Sequence, residues 1–340
     1  MRITFVTDAW YPQPNGVVRV LDSLRSRLEG LGHRVQVIEP GAFTCMPCPT
    51  YPEIPLAVLP GRKLRKMVDD FAPDAVHIAT EGPLGRAARS LCLKRGWPFT
   101  TAYHTKFPEY IQARTPLPLD WLYGVMRRFH GPSSAVLCPS PSVHRELTAR
   151  GFQNAREWSH GVDTQVFRPQ GKDVLDLPRP IFLYVGRVTV EKNLSAFLDL
   201  DLPGSKMVVG SGPQRDALMK RYPKAHFRIA NGDGELSRLF AAGDCFVFPS
   251  LTDTFGLVML EALASGVPVA AFPVTGPSDV IGTSGVGVLE ADLRAAALKA
   301  LEIDPTLCRA HAEKFSWDQV TEEFLGFLAP LSGQSQVRVG

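Results

Sequence analysis

Two cations and two carboxylates, each set just after a short apolar run, are the residues of this 340-residue chain that could do chemistry together. Arg187 follows Gly186 at the end of the run 181–185, and Lys192 comes five residues later within Glu191-Lys192-Asn193. Cations at the carboxyl end of a buried parallel strand stand where open α/β sheets bind ligands, and this pair suits a diphosphate. The stretch Pro249-Ser250-Leu251-Thr252-Asp253-Thr254-Phe255-Gly256-Leu257 follows the run 245–248 and opens a helical segment over 258–264. Amides of Phe255, Gly256 and Leu257 at such a helix start would receive phosphate oxygens. Glu261, one to two turns on, is placed to accept hydrogen bonds from ribose hydroxyls, and Asp253 lies in the loop on the side of a sugar. Taken singly, Asp253 or Thr254 is an N-cap and Glu261 a solvated helix residue. Taken together they point to a ligand. In the first half, a loop through Pro12, Pro14, Asn15 and Gly16 leads from the first run into a helix near Val17; glycine there admits a ligand to the backbone, although any βα turn can carry one.

Groups placed this way need strands that end where the chemistry begins. Short apolar runs, each followed by a turn and a helix-like segment, occur at 3–7, 35–38, 57–59, 75–78, 99–103 and 135–139, and again at 181–185, 207–209, 226–229, 245–248, 267–272 and 285–289. That is the βαβ rhythm of parallel sheets, and it starts afresh near 181. The length fits two such domains rather than one, and two domains imply a cleft. The expected division is 1–164, a linker at 165–180 rich in Gly, Pro and polar residues, and 181–316, with a closing helix over 317–330 that could pack on either domain. The tail after Leu331 is expected to fray.

Composition excludes several classes. Hydrophobic residues make up 45% and charged residues 21%, ordinary globular values, and no apolar run approaches the 18 or so residues that a membrane span needs. The N-terminus reaches Asp8 after one short run, so it is expected to be a buried strand rather than a signal peptide, in a cytoplasmic protein. Of six cysteines, Cys92, Cys138 and Cys245 sit in apolar runs, and Cys45 and Cys48 have redox spacing without a second pair, so no disulfide framework is expected. Residues 1–164 carry 20 Lys and Arg against 14 Asp and Glu, a net +6, and the remainder carries −3. Such a basic half suits an anionic surface or simply reflects uneven solvation. No motif for groove reading is present, and nucleic acid is not an expected partner.

The ordered set Gly186-Arg187, Glu191-Lys192-Asn193, Val209-Gly210-Ser211-Gly212-Pro213, and Ser250 with Asp253-Thr254-Phe255-Gly256 and Glu261 resembles the C-terminal domain of family-4-type retaining glycosyltransferases. The segments Gly161-Val162-Asp163 and Phe167-Arg168-Pro169 match as well, as do Asn15-Gly16, Glu81-Gly82-Pro83-Leu84-Gly85, and Tyr103-His104-Thr105 followed by Phe107-Pro108-Glu109-Tyr110. The N-terminal pattern is similar to the branch of bacterial α-mannosyltransferases that use GDP-mannose and of sugar-diacylglycerol synthases. One departure stands out: the family usually has a glutamate where this chain has Asp253, one methylene shorter.

The resemblance implies the GT-B fold, an α/β architecture of two Rossmann-like doubly wound parallel-sheet domains facing across a cleft. It implies a hexosyltransferase that takes a hexose from a nucleotide-diphosphate sugar with retention at the anomeric carbon. GDP-mannose is preferred over UDP-glucose or UDP-glucuronate. Arg187, Lys192 and the amides of Gly256 and Leu257 would stabilise the departing diphosphate, with Asn15, Gly16, Thr254, Phe255 and Glu261 also lining the donor, and His104 and Asp253 facing the sugar. The nucleotide phosphate takes the acceptor proton, and no Asp-x-Asp pair is present to hold a divalent cation, so neither metal nor cofactor is expected. The acceptor is expected to be a carbohydrate, a glycolipid or a diacylglycerol-type lipid. Segments 61–67 and 121–129 mix basic with apolar or aromatic residues and could rest on anionic lipid, placing the protein peripherally at the inner face of the cytoplasmic membrane. Rival readings are a nucleotide-sugar epimerase or phosphorylase of the same fold and a non-catalytic nucleotide-sugar-binding module.

Overall fold

The computed structural model describes residues 1–13, 15–48, 54–112 and 115–331. Pro14 and the tail after Leu331 lie outside the described residues. The chain forms two compact units, Met1–Ser159 with the chain from Asp318 onward, and His160–Trp317.

The first unit holds a parallel sheet of β1 (Arg2–Val6), β2 (Arg34–Ile38), β5 (Ala75–Ile78), β6 (Thr100–Ala102), β7 (Ala135–Cys138) and β8 (Ala155–Glu157), in the order β2-β1-β5-β6-β7-β8. A separate antiparallel hairpin pairs β3 (Cys45–Pro47) with β4 (Pro55–Ala57). The apolar run at 57–59 therefore feeds this hairpin rather than the main sheet. Only Ala57 of the run is buried, and Leu59, in a left-handed turn, is 90% exposed. The sixth main strand is β8, a short edge strand whose Arg156 and Glu157 face solvent, so it carries no apolar run.

Central strands such as β5 and β7 are buried along their whole length, as strands covered by helices on both faces must be. Local chemistry fixes where the helices start. Asn15 Oδ1 accepts from the Val18 amide at 3.0 Å and caps the helix Gly16–Gly30. Asp8, just past β1, accepts from the Leu84 amide at 2.9 Å, the Gly85 amide at 3.3 Å and the Thr80 hydroxyl at 2.8 Å, capping the neighbouring helix Pro83–Arg95. Side chains have no room there: a Cβ on Gly82 would lie 2.4 Å from Asp8 Cγ, and one on Gly85 1.8 Å from the Thr80 carbonyl oxygen.

The closing helix Trp317–Phe327 packs on this first unit. Phe324 is fully buried, with its ring 5.7 Å from Phe5, 5.0 Å from His77 and 5.5 Å from Trp158, and Trp158 Nε1 donates to the Val320 carbonyl at 2.9 Å.

The second unit repeats the plan with β9 (Ile181–Val185), β10 (Ser205–Val209), β11 (His226–Arg228), β12 (Cys245–Phe248), β13 (Val269–Ala271) and β14 (Gly287–Leu289), all parallel in the order β11-β10-β9-β12-β13-β14. The stretch 165–180, read as a linker, is packed into this unit. Phe167 and Leu175 are buried in its core, and Asp244 holds the stretch through Arg179 at 2.6 Å and Lys172 at 2.8 Å. A few apolar residues among glycine and proline were enough to anchor it. All six cysteines are free thiols, and burial pushes those of Cys92, Cys138 and Cys308 up to about 12. Among the described residues no helix is long and apolar enough to cross a membrane.

His77 gives the first unit a pH signature. Fully buried between Phe5 and Phe324, with Nδ1 2.9 Å from Thr100 Oγ1, it is pulled by burial down to a pKa of about 3. The unfolded chain takes that proton near pH 6.5, so the neutral fold is at full advantage above that pH and loses it as the pH falls towards 3. Stability should drop by up to ~1.4 kcal/mol per pH unit for this histidine in that window. His77→Leu should flatten the fall in melting temperature between pH 6.5 and 4.5; an unchanged slope would contradict the account.

Candidate functional site

Strand order locates the site in the second unit. The chain winds one way from β9 through β10 to β11 and the other way from β12 to β14, so the direction reverses between the neighbours β9 and β12. Ligands of open α/β sheets bind outside the carboxyl ends of the strands at such a reversal. Arg187 and Lys192 follow β9, and the segment 249–257 follows β12, so the two sequence motifs leave adjacent strand ends.

Side chains stitch these loops together. Lys192 Nζ donates to Asp253 Oδ1 at 2.5 Å, Asn193 Nδ2 donates to the Pro249 carbonyl at 3.1 Å, and the Ser250 hydroxyl donates to the Glu191 carbonyl at 3.5 Å. Arg187 lies 3.9 Å from Glu191, and its carbonyl accepts from the buried Tyr184 hydroxyl at 2.8 Å. The loop after β10 packs on the same edge, backbone against backbone: the Val188 amide donates to the Ser211 carbonyl at 2.8 Å and the Gln214 amide to the Val188 carbonyl at 3.1 Å. Such an approach needs glycine. Gly210 has φ +148 and a Cβ there would sit 1.9 Å from the Gly186 carbonyl oxygen; Gly212 has φ +153 and a Cβ there would sit 2.5 Å from that of Val188.

The helix Leu257–Ala264 starts at Gly256, φ +91, and no side chain caps it. Neither Asp253 nor Thr254 is its N-cap, and the first-turn amides of such a helix are donors suited to an anion. Phe255 is buried, its ring 5.2 Å from His160, which leaves only its backbone for a ligand. Glu261 is buried on the same helix. Several buried polar atoms along this chain have no hydrogen-bond partner among the described residues: Thr189 Oγ1, Thr252 Oγ1, Asp253 Oδ2 and Arg215 Nε. Buried polar atoms are normally paired, so these mark where a polar ligand or water completes the arrangement. Thr189, Thr252 and Arg215 escaped the sequence reading. Their one signal was proximity to the glycines and carboxylates of the two motifs.

The remaining predicted residues belong to the first unit. Asn15 spends its carboxamide locally, capping a helix through Oδ1 and donating from Nδ2 to Gln13 Oε1 at 3.2 Å, while Gly16 is the first helical residue. His104 follows β6; its Nε2 is shielded from solvent, and burial pulls its pKa down to about 4, so the ring is neutral near pH 7. Among the described residues no group of three or more His, Cys, Asp or Glu is placed to hold a metal ion.

Two family models cover most of the chain in succession: Glycosyltransferase Family 4 matches residues 14–166, and Glycosyl transferases group 1 matches residues 179–303. The chain belongs to the family-4-type glycosyltransferases. This glycosyltransferase is 29% identical over 310 residues to the sulfoquinovosyl transferase of Arabidopsis thaliana, a match spanning 81% of the chain and 60% of that longer relative. It is equally 29% identical over 316 residues to a GDP-mannose-dependent alpha-mannosyltransferase of Mycobacterium tuberculosis, spanning 85% of the chain and 83% of the relative. Its fold matches HepE of Anabaena, solved in complex with UDP and glucose, with a TM-score of 0.72 at 15% identity over 96% of this chain and 98% of that one. The GT-B architecture of two Rossmann-like halves is thus that of the glycosyltransferase's structural neighbours.

The glycine contacts make a direct test. Gly210→Ala should cost about 3 kcal/mol or more, because the clash is with backbone and cannot be relieved by a rotamer. Gly234→Ala, on the helix Asp233–Ala242 with nothing within 4 Å of the new Cβ, should instead stabilise by about 0.5–1 kcal/mol. Urea denaturation of the two variants measures both signs.

Proposed function

We propose that this glycosyltransferase moves a hexose from a nucleotide-diphosphate sugar to a lipid-borne hydroxyl with retention at the anomeric carbon, with GDP-mannose the favoured donor and UDP-glucose or UDP-glucuronate the alternatives. The observation that carries the reading is the Lys192–Asp253 contact between the loops that follow β9 and β12. An ammonium has three hydrogens. With one on Asp253 Oδ1, two remain for diphosphate oxygens, and Asp253 Oδ2 is left to accept from a sugar hydroxyl. Arg187 and the uncapped amides at Gly256 and Leu257 add donors for the leaving group, and Glu261 takes the ribose. Donor charge is met by side chains and amides, so the reaction runs without a metal, and the departing phosphate takes the acceptor proton. His104, at the end of β6 in the first unit, is neutral at working pH and would not compete for an anion.

The acceptor side of the reading rests on surface chemistry of the first unit. Leu117, Trp121 and Val125 recur at four-residue spacing on and just before the helix Leu119–His130 and are exposed, Trp121 to 58%. Phe107 and Ile111 are exposed on the helix Phe107–Gln112, and Arg127 and Arg128 are exposed in the last turn of the helix Leu119–His130. The helix Gly61–Phe71 buries Leu64 and Val68 and turns Arg62, Lys63, Arg65 and Lys66 outward. Apolar residues beside cations suit an anionic bilayer surface, and the protein is read as peripheral at the inner face of the cytoplasmic membrane.

In a thermal-shift panel of GDP, UDP and ADP, the matching nucleotide at 100 times its dissociation constant should add about 2.7 kcal/mol of stability. Lys192→Ala should lower donor kcat/KM by the ~1.5–3 kcal/mol of a charge-assisted hydrogen bond, roughly 10- to 150-fold, and undiminished turnover at subsaturating donor would remove the assignment. Vesicle co-sedimentation addresses the membrane: binding should favour anionic over neutral vesicles at low salt, weaken as salt rises, and fall in a Trp121→Ser, Arg128→Ser double variant. Equal binding to both vesicle types would discard the surface.

A further inference from the structure

Packing accounts for four of the five residues in Glu81-Gly82-Pro83-Leu84-Gly85. Pro83 is the first residue of its helix, Leu84 is fully buried, and Gly82 and Gly85 are pressed against Asp8 and Thr80. Glu81 has no such explanation. It follows β5 beside the point where the first sheet reverses direction between β1 and β5, and its side chain is only 11% exposed. Among the described residues the single partner of its carboxylate is His130, whose Nε2 lies 3.2 Å from Oε1. Oε2 accepts from none of the described residues.

His130 is itself held on every side. The residue is fully buried, its Nδ1 lies 2.9 Å from the Thr101 hydroxyl, and that hydroxyl lies 3.1 Å from the Ser133 hydroxyl. Ser133 Oγ donates to the His130 carbonyl at 2.8 Å, and Asn154 Nδ2 donates to the same carbonyl at 3.1 Å and to Ser133 Oγ at 3.0 Å. A carboxylate only accepts, so Nε2 carries the hydrogen that reaches Glu81, while Nδ1 is engaged by the Thr101 hydroxyl. A buried polar chain of this kind is stable only when its members are satisfied, and this one is satisfied down to its last atom, a carboxylate oxygen at a strand end.

We infer that Glu81 binds a hydroxyl of the acceptor through Oε2, and that His130 is the positioning residue that fixes the carboxylate for it. The ligand class is a neutral polyol head, glycerol or sugar, because an ionised carboxylate accepts from an O–H and repels an anion. The inference rests on the glycosyl-transfer reading and adds to it a specific acceptor contact in the first unit.

The test separates transfer from donor use. With the nucleotide sugar selected by the thermal-shift panel, transfer to dioleoylglycerol or to monoglucosyl-dioleoylglycerol in vesicles is measured alongside hydrolysis of the donor by water. Glu81→Gln keeps the shape and still accepts from His130, but replaces Oε2 with a donor. It should lower kcat/KM for whichever acceptor the wild type uses by about 10- to 100-fold, while donor hydrolysis and the nucleotide thermal shift stay at wild-type values. His130→Gln, whose amide can still donate to Glu81, should hold acceptor kcat/KM within about threefold of wild type, and His130→Leu should fall with Glu81→Gln. Wild-type acceptor kinetics in Glu81→Gln, or equal losses of transfer and hydrolysis, would overturn the inference and leave the transferase reading standing. A wild-type protein that consumes no donor with either acceptor would overturn both.

Discussion

A parallel strand covered by helices on both faces has no side of its pleat free for a ligand, so whatever chemistry it positions must come after its last residue. In the second unit this constraint falls on β9 and β12, adjacent strands from which the chain departs in opposite senses. The space bordered by the two departing loops is where the Lys192 ammonium meets Asp253. The rest of that edge is arranged around this meeting. Asn193 ties its own loop to the carbonyl of Pro249, and the glycines at 210 and 212 let a third loop come up to backbone contact. The helix that carries Glu261 begins at a glycine, which has no side chain to cap it. Cations and buried polar atoms without a partner among the described residues thus gather at the carboxyl ends of these strands.

The first sheet obeys the same rule with the opposite electrical character. Its central strand ends gather Asp8, Glu81 and His104, two carboxylates and an imidazole that burial keeps neutral. Asp8 is engaged by three donors around a helix start, while Glu81 is held by His130 alone among the described residues. The positive excess of this half of the chain lies elsewhere, on the helices Gly61–Phe71, Pro83–Arg95 and Leu119–His130. A net charge of +6 over residues 1–164 therefore describes a surface and not a binding edge. An anionic donor and an anionic bilayer would meet different sets of cations.

Most of the fold was legible because buried parallel strands are written as apolar runs, and eleven of the twelve runs correspond to strands of the two main sheets. The exceptions share a cause. The run at 57–59 belongs to a small hairpin, and Ala155–Glu157 pairs at a sheet edge with only one buried residue, so pattern and burial part company at the margins. The motif residues around 187–192 and 253–261 were legible because glycine, cation and carboxylate follow strands at short spacing. Partners could not be read that way. Nothing local says that Lys192 will sit on Asp253, 61 residues away, or that His130 will brace Glu81 across 49. Asn15 illustrates the converse: it was read as part of a ligand loop, and its carboxamide caps a helix.

Phe324 fills the core of the first unit from a helix translated after the whole of the second. A ribosome therefore finishes the N-terminal sheet long before the aromatic ring that closes it has emerged, and the half-built layer of Phe5, His77 and Trp158 must wait while the other unit is synthesised and folds. The order of completion in the cell is inverted relative to the order of the sequence: the later unit can close first, and the earlier one is sealed after it.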